Sequence, residues 1–366
     1  PLDPEPSAST NSATSAIFDL STPIGSALSR KIELEIKSDN AMLARPKDNR
    51  AIQESAMKVF RDLDQIPEEF RGAVATIGNF DGVHLGHRHI FARVVTEAAR
   101  NGSKAVGITF EPHPKMILRP EIRPFYLITS LDEKIGRIAD TGIDGLVLIH
   151  FTREFSQTTA KDFICSILWE RLRIRKLFIG HDYTFGRGKE GNEAYLAAFG
   201  ERLGFEVEVI GAFRAGDEII SSTLTRNTIL KGDVGKAATF LGRPYSISGL
   251  VIEGHRRGRS LGFPTANVKP DKDLLPARGI YAVRVLLGGK TYGGVLNIGF
   301  NPTFSDTALS VEVYLFDFNK DIYGERLEIL FIERIRDEIK FDGPAQLVEQ
   351  IRRDVAKAGM ILSGSG

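Results

Sequence analysis

Six of the seven histidines, His84, His87, His89, His113, His150 and His181, fall in one stretch of the chain. Two of them close GNFDGVHLGH, Gly78 to His87, which follows the apolar run Ala73 to Ile77 and leads into an amphipathic segment. A strand, a turn and a helix in that order offer free backbone N–H groups and a positive dipole end, which suit a phosphate chain. His84 and His87 add donors for phosphoryl oxygens. Two histidines at i and i+3 are only half a zinc site, and no third ligand accompanies them, so phosphate is the stronger reading. The bland alternative is a pair of surface histidines capping a helix.

A second set lies further along. In GHRRGRSLGFPTANV, Gly254, Gly258 and Gly262 are interleaved with Arg256, Arg257 and Arg259, a flexible basic loop able to wrap phosphates. By itself such a charge run reads as a solvated turn. Thr265 and Asn267 follow the rigid Pro264 at i and i+2, on one face if the segment is extended. Two neutral oxygens beside substrate phosphates are enough for Mg²⁺, which keeps its waters. Along SVEVYLFDF, Val311, Val313 and Leu315 face one way and Glu312 the other. Glu312 is a carboxylate free to orient an alcohol for phosphoryl transfer, or simply to face solvent.

The elements that must hold these residues follow two patterns. From Met57 the chain reads as short apolar strands (Ala73 to Ile77, Ala105 to Phe110, Gly145 to Ile149, Lys176 to Ile179, Phe205 to Ile210) separated by helices. The helices are Gly86 to Arg100, Leu131 to Thr141 opened by the capping box Ser130-x-x-Glu133, Ala160 to Arg171, and Glu193 to Leu203. That alternation predicts a parallel sheet with right-handed crossovers. His84, His113, His150 and His181 each come shortly after a strand, where open α/β sheets bind ligands. After a helix pair ending near Leu241 the pattern changes to closely spaced strands: Ile247 to Glu253, Ile280 to Leu287, Thr291 to Ile298, Leu309 to Phe318 and Glu325 to Ile332. This predicts an antiparallel barrel or sandwich, closed by a helix from Pro344 to Lys357.

Composition narrows the function classes. A chain of 366 residues with 42% hydrophobic and 26% charged side chains suits two folded domains. The 48 basic and 47 acidic residues leave a net charge of +1, so no chain-wide positive field draws in nucleic acid or an anionic membrane. The lone Cys165 cannot form an intramolecular disulfide, and no apolar run approaches the roughly 18 residues of a membrane helix. The reading is a cytoplasmic protein with no nucleic-acid or membrane partner. Its oligomeric state is open. Residues 1–56 are Ser- and Thr-rich and then polar, carry no targeting signal, and are expected to form a disordered extension. Only KIELEIK, Lys31 to Lys37, could add an edge strand there.

Two motif matches are set aside. Gly186-x-Gly188-x-x-Gly191 fits GxGxxG, but no strand ends just before it. Gly232-Asp-Val-Gly235-Lys236 has the wrong spacing for a phosphate loop and reads as a helix cap.

Taken in order, the motifs carry a family resemblance. GNFDGVHLGH resembles the HxGH signature of the nucleotidylyltransferases. TFEPHP (Thr109 to Pro114), GHDYTFGRGKEG (Gly180 to Gly191) and ISSTLTR (Ile220 to Arg226) are similar to the adenylyltransferase module of prokaryotic bifunctional riboflavin kinase/FAD synthetases. LGRPY (Leu241 to Tyr245), GRSLGFPTANV (Gly258 to Val268) and NPTF (Asn301 to Phe304) resemble its kinase module. The resemblance runs from Met57 to about Gly359. It implies a Rossmann-like nucleotidylyltransferase domain with a parallel sheet over 57–243, an antiparallel β-barrel riboflavin kinase domain over 244–360, and a tail over 361–366.

The implied chemistry is riboflavin to FMN and FMN to FAD, each with ATP, with Mg²⁺ as metal and pyrophosphate as the second product of adenylylation. A phosphate nucleophile is already ionised at neutral pH, so that step rests on positioning and charge neutralisation. The resemblance implies that Gly78, Asn79, Phe80, Asp81, Gly86, His113, Ser221, Ser222 and Thr223 contact nucleotide, with His84, His87 and Arg226 catalytic. Asp182, Phe185 and Arg187 would lie near the flavin. In the kinase module Gly258, Arg259, Gly262, Pro264 and Asn301 would contact nucleotide, Thr265 and Asn267 the metal, and Glu312 would be the base. Arg336 to Phe341 matches a flavin-side flap loosely. The rival readings are a chain with one active module, a flavin-binding regulator whose Arg256 to Arg259 loop meets RNA, and a redox flavoenzyme. The last two are disfavoured by the lack of exposed strand aromatics beside a basic face and of a second redox group.

Overall fold

In β2 (Val74–Ile77) all four residues are buried, so it reads as an apolar run without alternation, as a strand covered on both faces must. It lies inside a six-stranded parallel sheet with β1 (Lys58–Phe60), β3 (Ala105–Glu111), β4 (Gly145–His150), β5 (Lys176–Gly180) and β6 (Glu206–Ile210). The strand order is β1-β4-β3-β2-β5-β6. From β2 the chain winds outward to β3 and β4, then returns to place β5 on the other side of β2. The crevice at the carboxyl ends of β2 and β5 is therefore the switch point where a doubly wound sheet receives its ligand. The computed structural model describes residues 57–122, 124–254, 261–300 and 309–364. The expected extension 1–56, the Arg256 to Arg259 loop with Gly258 and Arg259, and Asn301 lie outside them.

Helices α1 (Leu85–Asn101), α2 (Pro114–Leu118), α3 (Leu131–Ala139) and α5 (Glu193–Leu203) fall within or between the expected crossovers. Ser130 caps α3 as its sequence predicts, accepting from the Glu133 amide at 3.2 Å. The expected helix Ala160 to Arg171 forms with a different winding. One turn, α4 (Ala160–Asp162), passes into a π-helix over Phe163–Arg171 that buries Phe163, Ile164, Ile167 and Leu168 against the sheet. Three elements had no strong signal: the three-residue edge strand β1, the helix α2, and the hairpin β7 (Arg214–Ala215) and β8 (Glu218–Ile219). Each is shorter than the window over which its periodicity can be recognised, about four residues for a strand and about eleven for a helix.

Two linking helices, α6 (Ser222–Leu230) and α7 (Val234–Leu241), lead into the second half. Asp233 caps α7 by accepting from the Lys236 amide at 3.1 Å, so GDVGK is a cap and not a phosphate loop. Strands β9 (Tyr245–Ile252), β10 (Ala266–Pro270), β11 (Gly279–Leu287), β12 (Lys290–Phe300), β13 (Leu309–Leu315) and β14 (Arg326–Arg336) close a barrel in the order β10-β13-β12-β11-β14-β9. Every pairing is antiparallel. The barrel settles the choice left open between barrel and sandwich. Its interior is filled by Ile247, Tyr281, Val283, Leu296, Ile329 and Phe331 among others, so it is a packed core and not a container. The last helix, α8 (Pro344–Gly364), packs against β11, β12 and β14 and runs past its expected end at Lys357.

Candidate active sites

The carboxyl ends of β2 and β5 open on a cleft of about 840 Å³. One wall is the turn from Gly78 to His84. A Cβ at Gly78 would stand 2.9 Å from the Phe80 ring, which is why this position holds glycine. Phe80 (φ 49°) and Val83 (φ 41°) take left-handed backbone conformations that cost a β-branched or aromatic residue free energy. The turn is pinned on several sides. Thr109 Oγ1 donates to the Asn79 carbonyl at 3.2 Å, Ser222 Oγ to the Asp81 carbonyl at 2.9 Å, and the Gly82 amide to Thr129 Oγ1 at 3.1 Å.

His84 ends the turn and caps α1, its Nδ1 accepting from the His87 amide at 3.3 Å. The proton of the neutral ring therefore sits on Nε2. The His84 and His87 rings stack with centroids 3.6 Å apart. Burial, then the charge of Arg243, pushes His84 down to about 3, while burial and His84 hold His87 well below the ordinary range. Both are neutral N–H donors at physiological pH. His87 Nδ1 is buried with no hydrogen-bond partner. Gly86 leaves room for the pair, because a Cβ there would approach the His84 ring to 3.2 Å.

His113 caps α2 in the same manner, accepting from the Lys115 amide at 3.1 Å, and burial brings it to about 3. Arg226 comes from α6, whose cap is Ser221 Oγ. Its Nη2 donates to Asp81 Oδ2 at 2.6 Å and its Nε to the Tyr126 carbonyl at 2.6 Å. The guanidinium lies 4.9 Å from the Phe125 ring. Nε and Nη2 are thus held by protein, and Arg226 lines the cleft.

Most of the residues singled out from sequence meet here: Gly78, Asn79, Phe80, His84, Gly86, His87, His113, Asp182, Phe185, Ser221, Ser222, Thr223 and Arg226 all line the cleft. Two do not. Asp81 is 2% exposed and accepts from the Ile128 and Thr129 amides as well as Arg226, so it anchors the arginine from behind. Arg187 is exposed and does not line the cleft, although Gly186, Gly188 and Lys189 do, because Arg187–Lys189 form a tight 3₁₀ turn. That turn also disposes of the GxGxxG match: Gly191 pairs with Phe185, and the α-helix begins only at Glu193, beyond the last glycine. His181 lines the cleft with His84 and His113, but His150 does not. Lys115 and Lys189 were not legible, since nothing distinguishes them among the chain's other cations.

The second set gathers on the outside of the barrel. Asn267 on β10 lies directly opposite Glu312 on β13, and Glu312 directly opposite Asn297 on β12. Directly opposed residues share a face, so the three form a row, while Val311 and Val313 point into the core. The Thr265 hydroxyl donates to Glu312 Oε2 at 3.4 Å. Gly262 (φ 84°) and the exposed Pro264 lead into this row, and Phe263 packs edge-on against Tyr314. Asn297 was missed because its role depends on cross-strand register. In the expected flap, Arg336 is tied to Asp354 of α8 by contacts of 2.6 to 3.1 Å, leaving Glu338 as the flap residue that reaches Gly299 beside Asn297.

Two family models match the chain, FAD synthetase over residues 66–224 and riboflavin kinase over 241–362. The bifunctional riboflavin kinase/FMN adenylyltransferase of Listeria monocytogenes is 38% identical over 77% of this chain and 90% of its own length. That of Escherichia coli K12 is 38% identical over 81% and 96%. This chain belongs to the bifunctional riboflavin kinase/FMN adenylyltransferase family. It is a transferase with both modules of that family in the family's order. A crystal structure of a Streptococcus pneumoniae chain, described as a macrolide-efflux protein, superposes with a TM-score of 0.75 at 32% identity, covering 82% of this chain and 97% of that one. Among the described residues no helix is long and apolar enough to cross a membrane.

Proposed function

We propose that the cleft at the ends of β2 and β5 adenylylates FMN and that the outer row on β10, β13 and β12 phosphorylates riboflavin. In the cleft, the ionised phosphate of FMN attacks the α-phosphorus of ATP and pyrophosphate departs. The start of α1 and the Nε2–H of His84, with His87 stacked on it, give neutral donors where charge accumulates, and Arg226 supplies the fixed positive charge for the leaving phosphates. Neutral imidazoles suit this role, since they bind phosphate without repelling one another at 3.6 Å. Phe151, Phe155, Phe163, Tyr183 and Phe185 line the same cavity and offer an apolar wall for a flavin ring.

In the row, Glu312 accepts the proton of the ribityl 5′-hydroxyl as that oxygen attacks the γ-phosphorus of ATP, and the bond to the β,γ-bridging oxygen breaks to release ADP. The donor set fits Mg²⁺: Thr265 and Asn267 bring neutral oxygens, Glu312 a carboxylate, and no soft ligand is near. Among the described residues no three His, Cys, Asp or Glu side chains are placed to share a metal, so the ATP phosphates would complete the shell. Mg²⁺ there would neutralise the phosphates, while Thr265 and Asn267 hold it and Glu312 orients the alcohol. Modules over 57–243 and 244–360, a cytoplasmic setting, and small-molecule substrates without nucleic acid or membrane partners complete the reading.

The observation that carries it is that the residues singled out from the sequence gather in two places, the cleft at the strand ends of the first module and the outer row on the barrel of the second. Incubation with riboflavin and MgATP, followed by chromatography, should give FMN and then FAD. With FMN supplied in place of riboflavin, FAD should form directly. Absence of FMN from the first reaction, or of FAD from the second, would remove the corresponding assignment.

A further inference from the structure

We infer that Arg243 and Lys272, both inside the stretch matched by the riboflavin kinase model, are positioning residues for the adenylylation cleft. The inference rests on the assignment of that cleft to FMN adenylylation.

The turn that presents His84 has left-handed conformations at Phe80 (φ 49°), Gly82 (φ 84°) and Val83 (φ 41°). Such conformations are unfavourable for a non-glycine residue and persist only where the surroundings over-determine them. Arg243 provides that restraint. Its Nη2 donates to the Gly82 carbonyl at 2.9 Å, and its Nη1 reaches the carbonyls of Val83 at 3.5 Å and Leu241 at 3.3 Å. Val83 directly precedes His84, so release of these carbonyls moves the imidazole that caps α1.

Lys272, which follows the far end of β10, acts on the other catalytic group. Its Nζ donates to the Ile128 carbonyl at 2.8 Å and to Glu133 Oε2 at 2.9 Å, with the Tyr245 ring 4.6 Å away. The same Ile128–Thr129 peptide presents its N–H to Asp81 Oδ1 at 3.2 Å, and the Ile128 amide adds a second bond at 2.9 Å. The other oxygen of Asp81 holds Arg226. A continuous set of hydrogen bonds therefore runs from a barrel lysine through one peptide group and one buried carboxylate to the arginine in the cleft. In such a chain each bond polarises the next. Glu133 joins the two anchors, lying 4.0 Å from Arg243 Nη2 as well as against Lys272.

The test uses the full chain with Arg243→Met and Lys272→Met, the conservative Lys272→Arg, and His84→Ala as reference. FMN adenylylation and riboflavin phosphorylation are assayed separately. Each Met variant should lower kcat for adenylylation by roughly tenfold to a hundredfold, as small misplacements of catalytic groups do, with KM for FMN little changed. Lys272→Arg should regain most of the rate. Riboflavin phosphorylation in the same molecule should stay at the wild-type level and reports that the chain is folded. Wild-type adenylylation in both Met variants, or a parallel fall of both reactions, overturns the inference. If His84→Ala itself forms FAD at the wild-type rate, the assignment of the cleft fails and this inference fails with it. An inactive His84→Ala beside fully active Met variants removes the positioning role alone.

Discussion

Asp81 and Arg226 are 145 residues apart in sequence, yet their side chains meet at 2.6 Å in the wall of the cleft, with Asp81 all but sealed from solvent. The carboxylate is what allows a guanidinium to stay buried there: it balances the charge and fixes the Nη2 edge of the arginine.

Asp81→Asn should therefore damage both stability and FAD formation. Removing one partner of a buried pair leaves the other uncompensated, at about 3 to 5 kcal/mol. Thermal unfolding beside the adenylylation assay checks this. An unchanged melting temperature would mean that Arg226 finds another counter-charge.

His84→Ala and His87→Ala should each reduce FAD formation by about a hundredfold, the usual effect of deleting a donor aimed at developing charge, while FMN formation persists. His84→Ala also removes a helix cap, at roughly 1 kcal/mol, so the His87 variant is the cleaner measurement. Equal loss of both reactions in a folded variant would contradict the division of labour between the modules.

Glu312→Gln should slow riboflavin phosphorylation sharply and leave adenylylation of supplied FMN intact. The amide keeps the shape and the contact with Thr265 but cannot accept the alcohol proton. Thr265→Ala and Asn267→Ala should act in the same direction and raise the Mg²⁺ concentration needed for half-maximal rate. Unaltered kinase turnover in Glu312→Gln excludes the carboxylate from proton transfer.

Stability should fall on acidification through a window that the buried histidines define. His84 and His113 are held near 3 and His87 well below its ordinary 6.5, in each case chiefly by burial. The unfolded chain takes up protons below about 6.5 and the folded chain does not, so the contribution is complete above that pH and is lost as pH falls towards 3. Each such histidine is worth about 1.4 kcal/mol per pH unit in the window. Melting temperatures at pH 7 and pH 5 measure the slope, and His113→Asn, which keeps the cap, should lessen it. A melting temperature independent of pH would show that the rings protonate in place.

What could be read in the sequence was whatever depends on near neighbours. His84 and His87 stand one helical turn apart after a strand, and Val311, Glu312 and Val313 follow the strand period, so local rules place them. The pairing of Asp81 with Arg226 could not be read in this way, because Arg226 lies on a distant helix. Arg243 belongs to LGRPY and acts on carbonyls 160 residues away. The π-helix at Phe163–Arg171 shows the same limit: its apolar residues predict a helix, but the shift of hydrogen-bond partner follows from packing on the sheet.

The outward row on the barrel bears on how the kinase module tolerates change. Along β13, residues that fill the interior alternate one by one with those that face outward. Exchanges at Val311 or Val313 are matters of volume, and exchanges at Glu312 are matters of chemistry, so the two can vary separately. An inserted or deleted residue within the strand breaks that independence. A slip of one position turns the carboxylate into the hydrocarbon interior and a valine outward, so the same event removes the proposed base and breaches the core. Length variation in this module should therefore be confined to the turns between strands, where the alternation is free to restart.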